Sequence, residues 1–259
     1  MITRVVILGL VGVSLTSCAS VAPLPTFPPS STVGAPGLAA IRSVVVDAGH
    51  GGHDPGTAHF GLREKDLALD IARRLSTELH ARGLSVVMTR DRDDFIALSR
   101  RPAVANQIPA DLFVSVHINA NRNRRVSGAE VYYPRESVVG DSAAFPPRVQ
   151  PREVAWPTTT IRQILWDLVL SRSRAHSVRV ASHICRAFRA QGVRCRGVKS
   201  ARFVVLREAR MPAVLVEVGY VSNQAEASRL ANASHRQALA KAIADGVTAY
   251  VRELGLQHI

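Results

Sequence analysis

From residue 42 onward, short β-branched runs alternate with longer segments of helical periodicity. Residues 67–83 are the clearest helical segment, because apolar side chains recur there at every fourth position and Gly83 marks the end. Further helices are expected over residues 96–106, 161–190, 223–231 and 234–254. Strands are expected over Ser43–Asp47, Leu84–Met88, Leu112–His117, Ala129–Tyr133, Phe203–Leu206 and Ala213–Glu217. This alternation predicts a single α/β domain with a mostly parallel central sheet and helices on both faces.

The first residues of the chain have a different pattern. Arg4 precedes an apolar run over residues 5–15, which is too short to span a bilayer as a mature helix but has the size of a secretory signal. The run ends in Leu-Thr-Ser before Cys18, which resembles the bacterial lipoprotein signal. That resemblance implies that residues 1–17 are a signal peptide and that the thiol of Cys18 carries lipid. The alternative is an ordinary signal peptide cleaved nearby.

The segment that follows, residues 18–41, is rich in Pro, Ser, Gly and Ala and almost uncharged. Such a composition buries too little apolar surface to offset the entropy of ordering, so the segment is expected to be a tether. Residues 42–259 then form the globular domain. Within it, residues 134–160 carry several prolines and little periodicity, and a loop of this length is usually functional or disordered.

The chain is strongly basic, with a formal net charge of +13 at pH 7. This charge favours solubility and also attraction to a polyanion such as an acidic cell-wall polymer or an anionic lipid surface. Export and the lack of any nucleic-acid-binding signature argue against a nucleic-acid partner. Cys185 and Cys195 could form a disulfide in an oxidising compartment, or they could be buried thiols.

The stretch VVVDAGHGGHDPGT, residues 44–57, places imidazoles and glycines directly after a buried strand. It is not a dinucleotide loop, because Asp54 stands where the third glycine of G-x-G-x-x-G belongs and Pro55 follows. Histidine at a strand end suggests a metal ligand. His50, Glu64 and His117 all lie at ends of predicted elements, and two histidines with one glutamate form a known catalytic zinc set. Each residue by itself could equally be a hydrogen-bonded structural residue.

Glu217 strengthens the prediction of a metal site. It ends the apolar strand MPAVLVE, where a buried acid is costly unless it is paired, metal-bound or functional. If the strands are parallel, Glu217 emerges on the same rim as His50 and His117, because ligands gather beyond the carboxyl ends of parallel strands. Two imidazoles and two carboxylates on one rim predict a hydrolytic zinc site.

The motifs DAGHGGHDPGT, REKD, SVHINAN and PAVLVEVGYVSN occur in this order over residues 43–254. Together they resemble the zinc-dependent N-acetylmuramoyl-L-alanine amidases of the amidase-3 type. The resemblance implies that His50, Glu64 and His117 hold Zn²⁺ and that Glu217 is the catalytic carboxylate. It also implies that the substrate is peptidoglycan, cut at the amide between N-acetylmuramic acid and the L-alanine of the stem peptide. TRDRDDFIALSRRPAVAN, residues 89–106, belongs to the same resemblance.

Other residues near these motifs have open roles. Asp47 could orient His50 or cap the loop backbone. Asn119 could contact substrate or merely complete its strand. His53 is expected to lie outside the metal site, because a catalytic zinc needs only three protein ligands. Phe95 and Leu98 are expected to lie beneath the site as structural residues.

The segment 134–160 falls where some members of that family carry a helix that covers the active site until a protein partner displaces it. Glu136 or Glu153 could reach the metal as an inhibitory ligand. A mobile surface loop is the simpler interpretation of the same composition. An activating protein partner is therefore a hypothesis that depends on the resemblance.

Two other functions remain open at the level of the sequence. The chain could be a lipid-anchored, non-catalytic peptidoglycan-binding protein, although all four predicted site residues are present. It could also be a zinc hydrolase of a different amide. In each case the protein is expected to be exported and anchored to a membrane on its periplasmic side through Cys18. Ala19, which is not an aspartate, favours the outer membrane if the cell is Gram-negative.

Overall fold

A computed structural model describes residues 41–135 and 159–256, with the side chains of 159–170 and 256 excepted. The predicted signal peptide, the tether up to residue 40, Cys18, Glu136 and Glu153 lie outside these residues. The described strands and helices are β1 (Ser43–Ala48), β2 (Ala58–His59), β3 (Leu62–Arg63), α1 (Glu64–Ala81), β4 (Ser85–Met88), α2 (Arg100–Gln107), β5 (Leu112–Asn119), β6 (Ala129–Pro134), α3 (Thr159–Ala190), β7 (Cys195–Ala201), α4 (Val204–Arg207), β8 (Ala213–Tyr220), α5 (Gln224–Ala231) and α6 (Ala233–Leu256).

Six strands form one sheet in the order β4-β1-β5-β8-β6-β7. The pairs β4–β1, β1–β5, β5–β8 and β6–β7 are parallel, and only β6–β8 is antiparallel. The predicted mostly parallel sheet is therefore confirmed. Because β1, β5 and β8 are neighbours that run in the same direction, their carboxyl ends form a single rim.

Both faces of the sheet are covered, which confirms the predicted layer structure. On one face, the apolar side chains of α1, α3, α5 and α6 pack against alternate residues of the strands, such as Val46, Val116 and Val216. On the other face a smaller core joins α2 and α4 to Phe113 and Leu215. Because side chains alternate between the two faces of a strand, the residues two positions beyond Phe113 and Leu215 face α2 and α4 as well. These residues are Ser115 and Glu217.

The expected strand Phe203–Leu206 is wrong, because these residues form the start of the short helix α4. Its Val205 and Leu206 are buried in the smaller core, so the apolar run reflects burial and not strand pairing. The actual strand nearby is β7, whose sequence CRGVKSA is largely polar. β7 is the edge strand of the sheet and is only partly buried, so it carries no alternating apolar signal.

The loop between β4 and α2 also differs from expectation. Phe95 and Leu98 are 46% and 60% exposed, so neither packs beneath the site. The ring of Phe95 lies 4.0 Å from that of His53, between ring centroids, at the surface of the glycine-rich loop. These two apolar residues therefore form part of the surface beside the site.

A disulfide joins Cys185 near the end of α3 to Cys195 at the start of β7, with a Cα–Cα distance of 5.5 Å. This settles the pairing that the sequence left open. The bond fixes the edge strand to the helix that covers it. Within the described residues, no helix combines the length and the apolar character needed to cross a lipid bilayer.

Candidate active site

The glycine-rich loop leaves the end of β1 and turns back sharply. His50 has a positive φ of 57°, which is unusual for a residue with a side chain. Two buried arginines hold this turn through its carbonyl oxygens. Arg101 donates to the carbonyls of Ala48 and His50, and Arg90 donates to those of Ala48 and Gly49. The surrounding hydrogen bonds therefore fix the backbone that aims the His50 ring.

Asp47 is fully buried at the end of β1, but its carboxylate touches neither His50 nor the loop backbone. It accepts hydrogen bonds from the Thr89 and Ser115 hydroxyls at 2.6 and 2.7 Å and from Arg101 at 2.9 Å. Burial opposes its ionisation, yet Arg101 and the two hydroxyls hold the pKa of Asp47 below its ordinary value. Both interpretations of Asp47 from the sequence are corrected, since it acts on the loop only through Arg101.

His50, Glu64 and His117 meet at the rim. Each offers a ligand atom, and these atoms all lie within 4.8 Å of one another. Oε2 of Glu64 is 3.2 Å from Nε2 of His50, and Oε1 is 2.9 Å from Nδ1 of His117. Glu64 is the first residue of α1, and Oε1 also accepts from the backbone N–H of Ile118. The glycine-rich loop thus supplies His50, the start of α1 supplies Glu64, and β5 supplies His117.

Two glycines make room for this cluster. A Cβ on Gly49 would lie 2.4 Å from the His117 ring. A Cβ on Gly56 would lie 2.6 Å from Oε2 of Glu64 and 2.7 Å from Cδ2 of His50, and its φ is +63°. Any side chain at either position would displace a member of the cluster.

Asp54 is the residue that orients His50, and the sequence assigned it only to a turn. Its Oδ2 lies 2.7 Å from Nδ1 of His50, on the opposite side of the ring from Glu64. Its Oδ1 accepts from the N–H of Gly56 at 3.0 Å, which fixes the carboxylate. An acid four residues beyond a candidate ligand is a signal that sequence reasoning could have used, because metal-binding histidines commonly donate their second nitrogen to a carboxylate.

Contacts within the cluster shift the pKa values of Glu64 and His50 in opposite directions. Burial alone would raise the pKa of Glu64, but hydrogen bonds from His117 and His50 hold it far below its ordinary value. Burial would lower the pKa of His50, but Glu64 and Asp54 raise it. The site therefore favours the ionised form of Glu64 between the two imidazoles.

Glu217 lies on β8 in register with His117 on β5 and with Glu130 on β6. Side chains in register on neighbouring strands share a face, so the three groups stand side by side on the face of α2 and α4. Among the described residues, Oε2 of Glu217 is the one buried side-chain oxygen or nitrogen without a hydrogen-bond partner. Burial, followed by the charges of Glu64 and Glu130, raises the pKa of Glu217 well above its ordinary value.

Glu130 differs from Glu217 because both of its carboxylate oxygens accept hydrogen bonds. Its Oε1 accepts from Lys199 at 2.6 Å and from Arg196 at 2.9 Å, and its Oε2 accepts from the Tyr132 hydroxyl at 2.5 Å. Sequence reasoning missed this group, because Lys199 and Arg196 lie on the unpredicted strand β7. The charge of Glu130 is thus balanced by Lys199 and Arg196, whereas Oε2 of the neighbouring Glu217 has no hydrogen-bond partner among the described residues.

These residues fit a divalent metal. Two imidazole nitrogens and one carboxylate within 4.8 Å match the donors that zinc prefers, and three protein ligands leave a fourth position open. The Asp54–His50 contact supplies the outer hydrogen bond expected of a ligating histidine. The unpartnered Oε2 of Glu217 lies beside this donor set and is free to bond to a small ligand.

The remaining predicted residues lie nearby. Asn119 is half-buried at the end of β5, just past a register shift, and its carbonyl accepts from the N–H of Val221. His53 is exposed and is not part of the three-residue cluster. The role of Asn119 toward substrate stays a prediction.

The chain resembles known proteins over nearly all of its described length. Residues 44–249 match the family described as N-acetylmuramoyl-L-alanine amidase. AmiA of Escherichia coli (strain K12) is 35% identical over 221 residues, which cover 81% of this chain and 76% of AmiA. LytC of Bacillus subtilis (strain 168) is 33% identical over 211 residues, which cover 82% of this chain, and the chain spans about a third of LytC, or 36%.

Solved structures agree with this relationship. The N-acetylmuramoyl-L-alanine amidase from Clostridium difficile 630 superposes with a TM-score of 0.65 at 29% identity, over 83% of this chain and 98% of that one. The catalytic domain of CwlV from Bacillus (Paenibacillus) polymyxa var. colistinus gives a TM-score of 0.63 at 32% identity, over 82% and 99%. Because the family match covers most of the chain and the fold agrees, the chain belongs to the N-acetylmuramoyl-L-alanine amidase family of enzymes.

Proposed function

We propose that this protein hydrolyses peptidoglycan at the amide between N-acetylmuramic acid and the L-alanine of the stem peptide. The observation that carries the proposal is the convergence of His50, Glu64 and His117 within 4.8 Å, next to a buried and unpartnered carboxylate oxygen of Glu217. This arrangement supports a metal-assisted hydrolase. The family membership of the chain supports the choice of this amide.

In the proposed reaction His50, Glu64 and His117 hold Zn²⁺. When bound, zinc supplies a Lewis acid that polarises a carbonyl oxygen and makes water a stronger acid. Asp54 holds the His50 ring so that Nε2 faces the cluster. Arg101 and Arg90 keep the loop in place by bonding to its carbonyls.

Glu217 is the proposed general base and acid. Its carboxylate accepts a proton from the attacking water and then returns a proton to the departing nitrogen of L-alanine. Burial and two neighbouring acids raise the pKa of Glu217, which makes its ionised form a stronger base than an exposed glutamate. Glu130, held by Lys199 and Arg196, keeps its own charge and does not compete for that role.

Mass spectrometry of digested muropeptides tests the proposal. Free stem peptides that begin at L-alanine are the expected products. Cut glycan strands or cut cross-links would contradict the proposed bond. The metal requirement is tested separately: the purified protein is expected to contain about one zinc per chain, and a chelator is expected to abolish activity until zinc is restored.

We also propose that the protein is exported and anchored to a membrane through lipid on Cys18, so that residues 18–41 tether the catalytic domain to that membrane. The sequence pattern of residues 1–18 supports this proposal. Metabolic labelling with a radioactive fatty acid is expected to mark the wild-type protein but not Cys18→Ala. Equal labelling of both proteins, or no labelling of either, would contradict anchoring at Cys18.

A further inference from the structure

A basic surface continues the rim beyond the catalytic cluster. A groove of about 550 Å³ lies between the tip of the β2–β3 hairpin and the start of α5, and its lining includes Phe60, Arg124, Arg125 and Asn223. A smaller groove of about 400 Å³ is lined by His59, Arg122 and Arg124 among others. Arg124 lines both, and the two together are here called the arginine groove.

The backbone of the loop that carries these arginines is well fixed. The N–H of Asn121 donates to the Ser222 hydroxyl at 2.9 Å, and the side-chain amide of Asn223 donates to the carbonyl of Arg124 at 2.8 Å. The N–H of Val126 bonds back to the carbonyl of Asn123 at 3.1 Å. The arginines are therefore presented from a held loop and not from a free strand of chain.

The loop presents three exposed guanidinium groups. Arg122, Arg124 and Arg125 are exposed, and no residue in 41–135 or 159–256 with a described side chain forms an ion pair with them. Many other arginines of the chain do have a carboxylate partner, such as Arg82 with Asp245 and Arg236 with Asp70. Three neighbouring cations with no acidic partner in the described part of the chain create a local attraction for anions.

The arginine groove lies on the same rim of the sheet as the catalytic cluster, because its arginine loop follows β5 and its Asn223 follows β8. Asn121 follows His117 by four residues, and an extended chain of four residues spans roughly 13 Å. On the opposite wall, the hairpin that carries Phe60 runs directly into Glu64. A peptide that starts at the cluster and extends for three to five residues, at about 3.3 Å each, is long enough to cover such a span.

We propose that the arginine groove binds the free carboxylates of the stem peptide, and so orients the substrate with its peptide half over Arg122, Arg124 and Arg125. This inference rests on the proposed function. In a muramoyl peptide the lactyl carboxyl is consumed in the scissile amide and the sugars are neutral, so free carboxylates occur only on the peptide. Guanidinium groups match carboxylates in geometry as well as in charge.

Steady-state kinetics on two soluble substrates test the assignment: a muramoyl peptide with free carboxylates, and the same compound with those carboxylates amidated. The variant Arg122→Gln/Arg124→Gln/Arg125→Gln is expected to raise KM for the free acid about tenfold with little change in kcat. On the amidated substrate the same variant is expected to leave KM unchanged. Arg252→Gln on α6, also exposed and unpaired among the described residues, is the matched control and is expected to change neither constant.

Equal KM changes on the two substrates, or no change on either, would overturn the assignment while leaving the amidase proposal intact. If the wild-type protein cleaves neither compound, the amidase proposal fails, and calorimetric binding of the isolated stem peptide then decides the groove by itself. Weaker binding by the triple variant than by wild type supports the groove. Equal binding by the two proteins overturns it.

Discussion

The carboxylate of Asp54 lies 2.7 Å from Nδ1 of His50, whose Nε2 faces Glu64. This contact fixes both the orientation of the ring and the nitrogen that carries its proton. The N–H of Gly56 donates to the other carboxylate oxygen of Asp54. The orientation of His50 therefore depends on the turn between Asp54 and Gly56.

Replacement of Asp54 tests this relationship. Asp54→Ala is expected to lower zinc affinity by about 10- to 100-fold, because the His50 ring loses its acceptor. Competition against a chromophoric chelator measures the affinity. Asp66→Asn changes an exposed acid that forms an ion pair with Arg63; it is the control and should bind zinc like wild type. An unchanged affinity in Asp54→Ala would show that the loop backbone alone positions His50.

Glu217→Gln separates metal binding from catalysis. The variant is expected to retain zinc but to lose turnover by about 10²- to 10⁴-fold, because the amide cannot accept the proton of water. Because Oε2 of Glu217 is buried without a partner, the metal-free variant should be at least as stable to heat as metal-free wild type at neutral pH. A folded, zinc-loaded variant with wild-type turnover would contradict the assigned role.

Arg101 is one of the largest fully buried side chains among the described residues and joins Asp47 to the loop of His50. Arg101→Ala should lower the free energy of unfolding by about 3–5 kcal/mol, because it leaves the Asp47 carboxylate buried without a cation. Chemical denaturation measures this loss. The double variant Asp47→Asn/Arg101→Ala should recover part of it, and a double variant as unstable as the sum of both single changes would show that the two residues are not coupled.

Glu130 gives a pH dependence of known sign. Burial opposes its ionisation, but Lys199, Tyr132 and Arg196 lower its pKa from 4.5 to about 2. A lowered folded-state pKa contributes stability that is present above pH 4.5 and is lost as the pH falls toward 2. In the Glu217→Gln background, where the neighbouring acid no longer titrates, Glu130→Gln should cost roughly 2 kcal/mol at pH 6. Partial exposure of Lys199 and Arg196 limits this value.

The cost of Glu130→Gln should shrink at pH 3, because wild-type Glu130 has by then lost part of the stability that its charge contributes above pH 4.5. Urea denaturation of both proteins at the two pH values measures the difference. A cost that is equal at pH 3 and pH 6 would mean that the charge of Glu130 does not stabilise the fold.

The disulfide between Cys185 and Cys195 closes a loop of 10 residues. Its removal by Cys185→Ser/Cys195→Ser is expected to lower stability by about 2–3 kcal/mol through the entropy of the unfolded chain. Calorimetry measures the change in Tm. A reductant should lower the Tm of wild type but not that of the double variant, and a reductant effect on both would point to a different cause.

Local patterns of apolar residues in the sequence predict much of the fold. The four-residue spacing of Leu67, Ile71, Leu75 and Leu79 predicts α1, and all four side chains are buried. The β-branched runs before His50 and His117 predict β1 and β5 because central strands are apolar on both faces. The prediction of strands fails where a buried apolar segment is not a strand, and where a strand of the sheet is only partly buried and polar. β7 is a polar edge strand, and the apolar segment beginning at Phe203 packs as a helix.

The sequence by itself determined the residue types of the site. His50, Glu64, His117 and Glu217 stand at the ends of predicted elements, where ligands gather in α/β sheets. Their meeting within one small volume, and the opposing roles of Glu130 and Glu217, required the order β1-β5-β8-β6. Strand order arises from long-range pairing, which no local pattern encodes. For the same reason only the tertiary structure brought Arg101 to Asp47 and Asp54 to the correct side of His50.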